Sequence, residues 1–138
     1  MKKIVKIVFD TNTLISAAIA KGKPKKLLLK ALAKEFILVS SNELLKELED
    51  VIARPKFKLT PVEVSKFVNT VRRSVKIVNV KSDFRVVMED PDDDNVLNTA
   101  YDGKVNYIVS GDRHLLKLKT FKGIKIITAT IILKLLNS

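Results

Sequence analysis

The stretch that most constrains this chain is Ile4 to Ser16, where a run of apolar residues ends abruptly on an acid. Ile4, Val5, Ile7, Val8 and Phe9 are mostly β-branched and are interrupted only by Lys6. A strand of that composition has no solvated side and belongs in the middle of a parallel sheet. It ends at Asp10. Thr11-Asn12-Thr13 then offers helix-capping groups before Leu14, Ile15, Ala18 and Ile19 take up helical spacing. Asp10 is thereby placed at the carboxyl end of a central strand and beside a helix amino terminus, where open α/β sheets bind ligands. An aspartate whose only task is to cap the helix would stand in the same place, so the stretch needs company before it signifies chemistry.

The same unit recurs along the chain. Lys21-Gly22-Lys23-Pro24 reads as a basic turn, and Pro24 opens a helix bearing Leu27, Leu28, Ala31 and Leu32. Phe36 to Val39 is a second buried strand. Ser40-Ser41-Asn42-Glu43 reads as a capping box for a helix with Leu44, Leu45, Leu48, Val51 and Ile52 on one face, ending before Pro55. Thr60-Pro61-Val62-Glu63 repeats the device ahead of Val64, Phe67, Val68 and Val71. Lys76 to Val80 is a third strand, and Ser82 to Met88 is ambiguous. Asp94 or a neighbour caps a helix with Val96, Leu97, Ala100 and Tyr101 that closes at Gly103. Tyr107 to Val109 and Ile124 to Ile127 are the fourth and fifth strands. Between them Ser110-Gly111-Asp112 turns into a short helix, and Thr130 to Leu136 forms the last. Alternation of this kind predicts an α/β fold, a central parallel sheet of four to five strands with helices on both faces, in one domain over residues 1–138.

Composition narrows the function classes. The chain has no cysteine, which rules out a disulfide framework or a thiolate zinc site and makes a reducing cytoplasm the expected setting. No apolar run approaches the ~18 residues of a membrane span, and Met-Lys-Lys leads straight into a strand rather than into a signal sequence. Twenty-six Lys and Arg against fifteen Asp and Glu give a net charge of +11. Such a balance favours a polyanionic partner through counterion release, ahead of the alternative that high lysine content simply solubilises the protein or reflects a hot habitat.

Against that background the acids gather. Glu89, Asp90, Asp92, Asp93 and Asp94 place five of the fifteen acids within six residues. An acidic helix-capping loop would account for them singly, but hard oxygen ligands so crowded also suit Mg²⁺ or Mn²⁺. Asp112 follows its strand as Asp10 follows the first, and Glu47 borders the buried face of the third helix. Glu43, Glu49 and Asp50 read as cap or solvated face. Carboxylates from four segments meeting at one sheet edge would hold one or two metal ions for phosphodiester hydrolysis, while outer lysines and arginines hold the backbone. His114 is the one histidine, placed at a helix start, and no serine has a partnered base.

The chain resembles the PIN-domain nucleases, among them the small prokaryotic proteins identified as toxin components of toxin–antitoxin pairs. The resemblance rests on Val-Phe-Asp10-Thr-Asn-Thr-Leu-Ile-Ser, Ser-Asn-Glu-Leu-Leu-Lys-Glu47-Leu-Glu-Asp-Val-Ile-Ala-Arg-Pro-Lys-Phe, Asp-Pro-Asp-Asp-Asp94-Asn-Val-Leu-Asn-Thr-Ala and Tyr-Ile-Val-Ser-Gly-Asp112-Arg-His-Leu-Leu, in that order. It implies a three-layer α/β/α fold and a Mg²⁺- or Mn²⁺-dependent ribonuclease. Asp10 would be the central metal ligand, Asp94 and Asp112 its companions, and Glu47 the helix-borne acid that completes the pocket or orients a water. Asn12 and Ser110 would be polar groups that orient carboxylates or water. The register of the third acid stays open between Asp94, favoured because Leu97 and Ala100 follow it, and Asp93. His114 stands where many relatives carry a further acid. RNA as substrate, an antitoxin protein and a homodimer are the partners the resemblance implies, with the leucine-rich stretch Pro24 to Leu32 as a surface for dimerisation or as ordinary core.

Two rival readings have specific discriminators. Phe-Asp-Thr-Asn-Thr is similar to the opening of haloacid-dehalogenase-type phosphatases, but Asn12 occupies the place of their general acid. A non-catalytic RNA-binding scaffold of the same fold would keep the acids without turnover, and metal-dependent cleavage separates it from a nuclease.

Overall fold

In the computed structural model, which describes residues 4–19, 22–87 and 90–137, strands and helices alternate as the pattern requires. Glu89, the Lys21 end of the basic turn and the Met88 end of the ambiguous stretch lie outside the described residues. In chain order the elements are β1 (Lys6–Phe9), α1 (Thr11–Ile19), α2 (Lys23–Leu32), β2 (Ile37–Ser40), α3 (Asn42–Ile52), α4 (Pro61–Ser74) and β3 (Val75–Ile77). There follow α5 (Pro91–Asp102), β4 (Tyr107–Val109), α6 (Arg113–Leu116), β5 (Thr120–Phe121), β6 (Ile124–Ile127) and α7 (Ala129–Leu136).

The sheet runs β3-β2-β1-β4-β6-β5. Every neighbouring pair is parallel except β5 with β6. The connections from β1 lead outward to β2 and β3, whereas β4 lies on the opposite flank of β1. The strand order therefore reverses between β1 and β4, the point where such sheets open a ligand crevice at their carboxyl ends. Asp10 leaves β1 and Ser110 leaves β4 at that point, and Asp10 N donates to Val109 O at 3.2 Å.

Side chains alternate across the sheet into two cores. Ile7, Phe9, Leu38 and Val109 face α1, α2, α3, α4 and α7, with Leu14, Leu27, Leu48, Val71 and Ile132 among their buried neighbours. Val8, Val39, Ile108 and Ile126 face α5 and α6, packing with Val96, Leu97, Ala100 and Leu115. This is the three-layer α/β/α arrangement. Helix α3 serves both layers, since Leu45, Leu48 and Ile52 enter the first core and Leu44 the second. It therefore lies along the sheet's edge, and Glu47 comes with it.

Local signals hold with specific exceptions. The Thr60–Glu63 capping box forms as read, with Glu63 N donating to Thr60 Oγ1 and Thr60 N to Glu63 Oε1. The box expected at Ser40 does not form. Ser40 ends β2, and Ser41 caps α3 instead, accepting from Leu44 N while its Oγ pairs with Thr99 Oγ1 at 2.8 Å. Strand β3 ends earlier than Val80: once β2 turns into α3, the last ladder bond available is Val78 N to Ser40 O. The sheet also gains a sixth strand beyond the four or five expected. Lys122 and Gly123, both at positive φ (51° and 83°), join β5 to β6 in a two-residue hairpin turn. Gly103 is required by proximity rather than by φ, since a Cβ there would lie 2.9 Å from Val39 Cγ1.

Candidate metal centre

Four separate segments deliver acids to one cleft of about 210 Å³ at the carboxyl edge of the sheet. Asp10, Glu47, Asp90, Asp92, Asp93 and Asp112 line it, together with Thr11, Asn12, Val51 and the basic turn Arg54 to Phe57. Asn12 and Asp112 also border a larger neighbouring groove of about 650 Å³, where Ser110 and Lys23 lie.

Asp10 is 3 % exposed. Its Oδ1 accepts from Thr13 N at 2.9 Å, so it does cap α1, and its Oδ2 accepts from Ser110 Oγ. Capping and facing the cleft are thus roles of one side chain. Burial pushes its carboxyl above the usual range; the Ser110 and Thr13 hydrogen bonds oppose this, and the charge of Asp112 adds to it. Ser110 Oγ also accepts Asp112 N at 2.9 Å, and Asp112 Oδ1 accepts His114 N at 2.7 Å. A single hydroxyl therefore sets the spacing between the acid after β1 and the acid after β4.

Of the two candidates for the third acid, Asp93 is the one brought to the cleft. Helix α5 starts three residues before Asp94, with Asp90 as its cap accepting Asp92 N, and this rotates the aspartates around the helix. Asp93, 8 % exposed, turns into the cleft. Asp94 turns the other way. Its Oδ1 accepts Val86 N at 2.9 Å and Val87 N at 2.8 Å, and it lines a separate cleft with Asp83, Phe84 and Asn98. Asp94, Asn98 and Asp102 form a stripe at i, i+4, i+8 that binds the backbone of the ambiguous 82–87 stretch. Asn98 Oδ1 accepts Phe84 N at 2.7 Å, and Asp102 accepts Lys81 N, Ser82 N and Ser82 Oγ. The structure therefore does not bring Asp94 to the cleft: its carboxylate holds an extended segment outside the strands.

One carboxylate oxygen from each of Asp90, Asp93 and Asp112 lies within 4.8 Å of the others. From that spacing a hard cation with oxygen bonds of about 2.1 Å can draw several ligands. Two more observations fit a cation. Glu47 Oε2 and Asp93 Oδ2 are buried with no hydrogen-bond partner, a costly condition for a carboxylate unless a proton or a metal is supplied. Both groups are correspondingly pushed up to about 7. For Glu47 the cause is burial, opposed by the nearby Thr11 hydroxyl, which itself makes no hydrogen bond, and reinforced by Asp92, Asp90 and Asp10. For Asp93 it is burial followed by the charges of Asp112, Asp90, Asp10 and Glu47. The donor set is entirely oxygen, which suits Mg²⁺ or Mn²⁺ over softer metals.

A family model described as PIN domain matches residues 6–114, the interval that runs from β1 into α6 and contains every acid of the cleft. The chain belongs to the PIN-domain family. PIN domains share a nuclease-type fold and are generally metal-dependent hydrolases, and the acidic cluster of this PIN domain fits a metal site. A search of curated proteins finds no match to it. Among the described residues, no helix is long and apolar enough to cross a membrane.

The sequence reading passed over three contributors. Asp90 was noted only as part of the acidic run, although it both caps α5 and joins the cation-sized cluster. Arg54 and Lys56 appear in the sequence only within the block that follows Glu47, with no role of their own. Their signal is positional: they follow the helix that carries Glu47, in a turn that returns to the same edge.

Proposed function

We propose that this PIN domain is a Mg²⁺- or Mn²⁺-dependent endoribonuclease that hydrolyses RNA phosphodiester bonds, acting in the cytoplasm as the toxin of a toxin–antitoxin pair. The observation that carries the reading is the convergence of Asp10, Glu47, Asp93 and Asp112 on one cleft, with buried carboxylate oxygens left without donors, in a chain of net charge +11. Asp93, Asp112 and Asp90 would hold the cation, with Asp10 beside them. When bound, the ion supplies a Lewis acid for the phosphate and lowers the pKa of a water.

The chain's own groups do the rest. Glu47, on the flank of α3, orients the attacking water and takes its proton. Ser110 holds Asp10 and Asp112 in register. Asn12 is exposed on the rim, where its amide can meet substrate. A second copy of the chain and an antitoxin protein complete the proposed partners. The exposed Leu29 and Leu32 on α2 offer apolar surface for association, while Leu27, Leu28 and Ala31 of the same helix are core.

The test is cleavage of labelled single-stranded RNA with Mg²⁺, with Mn²⁺ and with EDTA, comparing the wild type with Asp10→Asn. Cleavage that requires the metal and is lost in the variant supports the reading. Metal-independent binding without cleavage would identify a scaffold instead.

A further inference from the structure

The cleft poses an electrostatic problem. Six carboxylates line it, and once all six ionise around bound metal, two divalent ions would neutralise only four of those charges, yet the proposed substrate brings further negative charge with every phosphate. Counter-charge has to stand at the same opening. Among the described residues that line the cleft, it stands in one place, Arg54 and Lys56.

Their placement is built by the backbone. Helix α3 ends at Ile52, Arg54 is extended (φ −65°, ψ 143°), and Pro55 starts a 3-10 turn that closes on Lys58 at positive φ (54°). Phe57 and Leu59 pack against the first core and anchor the turn. Both cationic side chains are exposed. Among the described residues, the salt bridges are Lys30–Glu35 and Arg85–Asp83, so neither Arg54 nor Lys56 is spent on the acids across the cleft. Lys56 Nζ instead lies 5.1 Å from the centre of the Phe57 ring. A guanidinium that faces a recess of carboxylates without pairing to one is free to take an anion that enters with a metal.

We propose that Arg54 and Lys56 form a phosphate-binding subsite that grips the RNA backbone at the mouth of this cleft, Arg54 through paired hydrogen bonds and Lys56 as a point charge. The assignment rests on the nuclease reading and adds to it the residues that hold substrate. Arg54 matches phosphate geometrically, as a fork of donors, and lysine would replace it only in part.

The experiment compares wild type, Arg54→Gln, Arg54→Lys and Lys56→Gln on oligoribonucleotides in which one phosphate at a time is a neutral methylphosphonate. Arg54→Gln is expected to raise KM about 10- to 100-fold with kcat little changed, and to lower the slope of log affinity against log salt by about 0.7, the share of one phosphate on a single strand. Arg54→Lys recovers part of the loss. At one position of the scan a methylphosphonate should weaken the wild type more than it weakens Arg54→Gln, in which only Lys56 still reads that phosphate. Stabilisation by Mn²⁺ should be equal in all four proteins. Unchanged KM and salt slope in both Gln variants would overturn the subsite, as would equal methylphosphonate costs in wild type and variant. If the wild type binds RNA without cleaving it, the nuclease reading fails, and the same affinities and salt slopes still decide the subsite.

Discussion

Ser110 donates its hydroxyl proton to Asp10 across one hundred positions of sequence, and its oxygen accepts the backbone N–H of Asp112. The first acid of the cleft is therefore positioned by the strand that delivers the last. Ser110→Ala should lower metal-dependent cleavage about 10- to 100-fold, the usual cost of losing a group that orients a ligand. Its stability cost should be only about 1 kcal/mol. A Mn²⁺ titration of cleavage beside thermal unfolding checks both. Unimpaired activity would show that Asp10 needs no such support.

The two neighbouring aspartates of α5 should fail in opposite ways. Asp93→Asn should abolish metal-dependent cleavage while leaving the protein as stable as the wild type or more so, because it removes a buried charge crowded by other acids. Asp94→Ala should keep Mn²⁺ binding and lose about 1–3 kcal/mol of stability, since Val86 N and Val87 N lose the oxygen they share. Urea unfolding and Mn²⁺ binding on each variant separate the two.

Glu47 sets the cleft's function against its stability. Its folded pKa is raised from 4.5 to about 7, so its ionisation opposes folding. The penalty is absent below about pH 4.5 and complete above about pH 7. Glu47→Gln should thus unfold at higher temperature than wild type in EDTA at pH 8, and at the same temperature at pH 4. Mn²⁺ at a hundred times its Kd should stabilise the wild type by about 2.7 kcal/mol. A variant that is less stable than wild type at pH 8 would count against this balance.

Asp102 works in the other direction. Hydrogen bonds from Ser82 and Lys81, the Ser82 side chain first, hold its carboxyl below the ordinary value of 3.8. A depressed acid contributes stability that is present above its unfolded pKa and lost as pH falls through the folded one. The gap in stability between wild type and Asp102→Asn should therefore be constant from pH 7 down to about pH 4, then close on further acidification. Urea midpoints across that range measure it.

The sheet was legible because β1, β2 and β4 are short, largely apolar runs bounded by turn residues, and burial on both faces leaves such runs little alternative, while β6 keeps the same apolar character around an exposed Lys125. Strand β5 was not, because two residues between Lys119 and Lys122 carry no periodicity; the hairpin turn makes the strand. Asp10, Glu47 and Asp112 could be placed from their elements alone. The choice between Asp93 and Asp94 could not, since Leu97 follows both at a helical spacing, and the deciding fact is where α5 begins. The stripe Asp94, Asn98, Asp102 held the missing signal: three polar residues on one helical face beside a stretch with no strand partner.

The central claim is that acids from separate segments share a cation, and a crystal soaked in Mn²⁺ tests it most directly through the anomalous signal of the ion. The account predicts a peak about 2.2 Å from oxygens of Asp93 and Asp112, with Asp10 and Asp90 beside it and Asp94 still on the backbone of Val86 and Val87. A peak at Asp94, or a cleft that stays empty at concentrations supporting RNA cleavage, would contradict it.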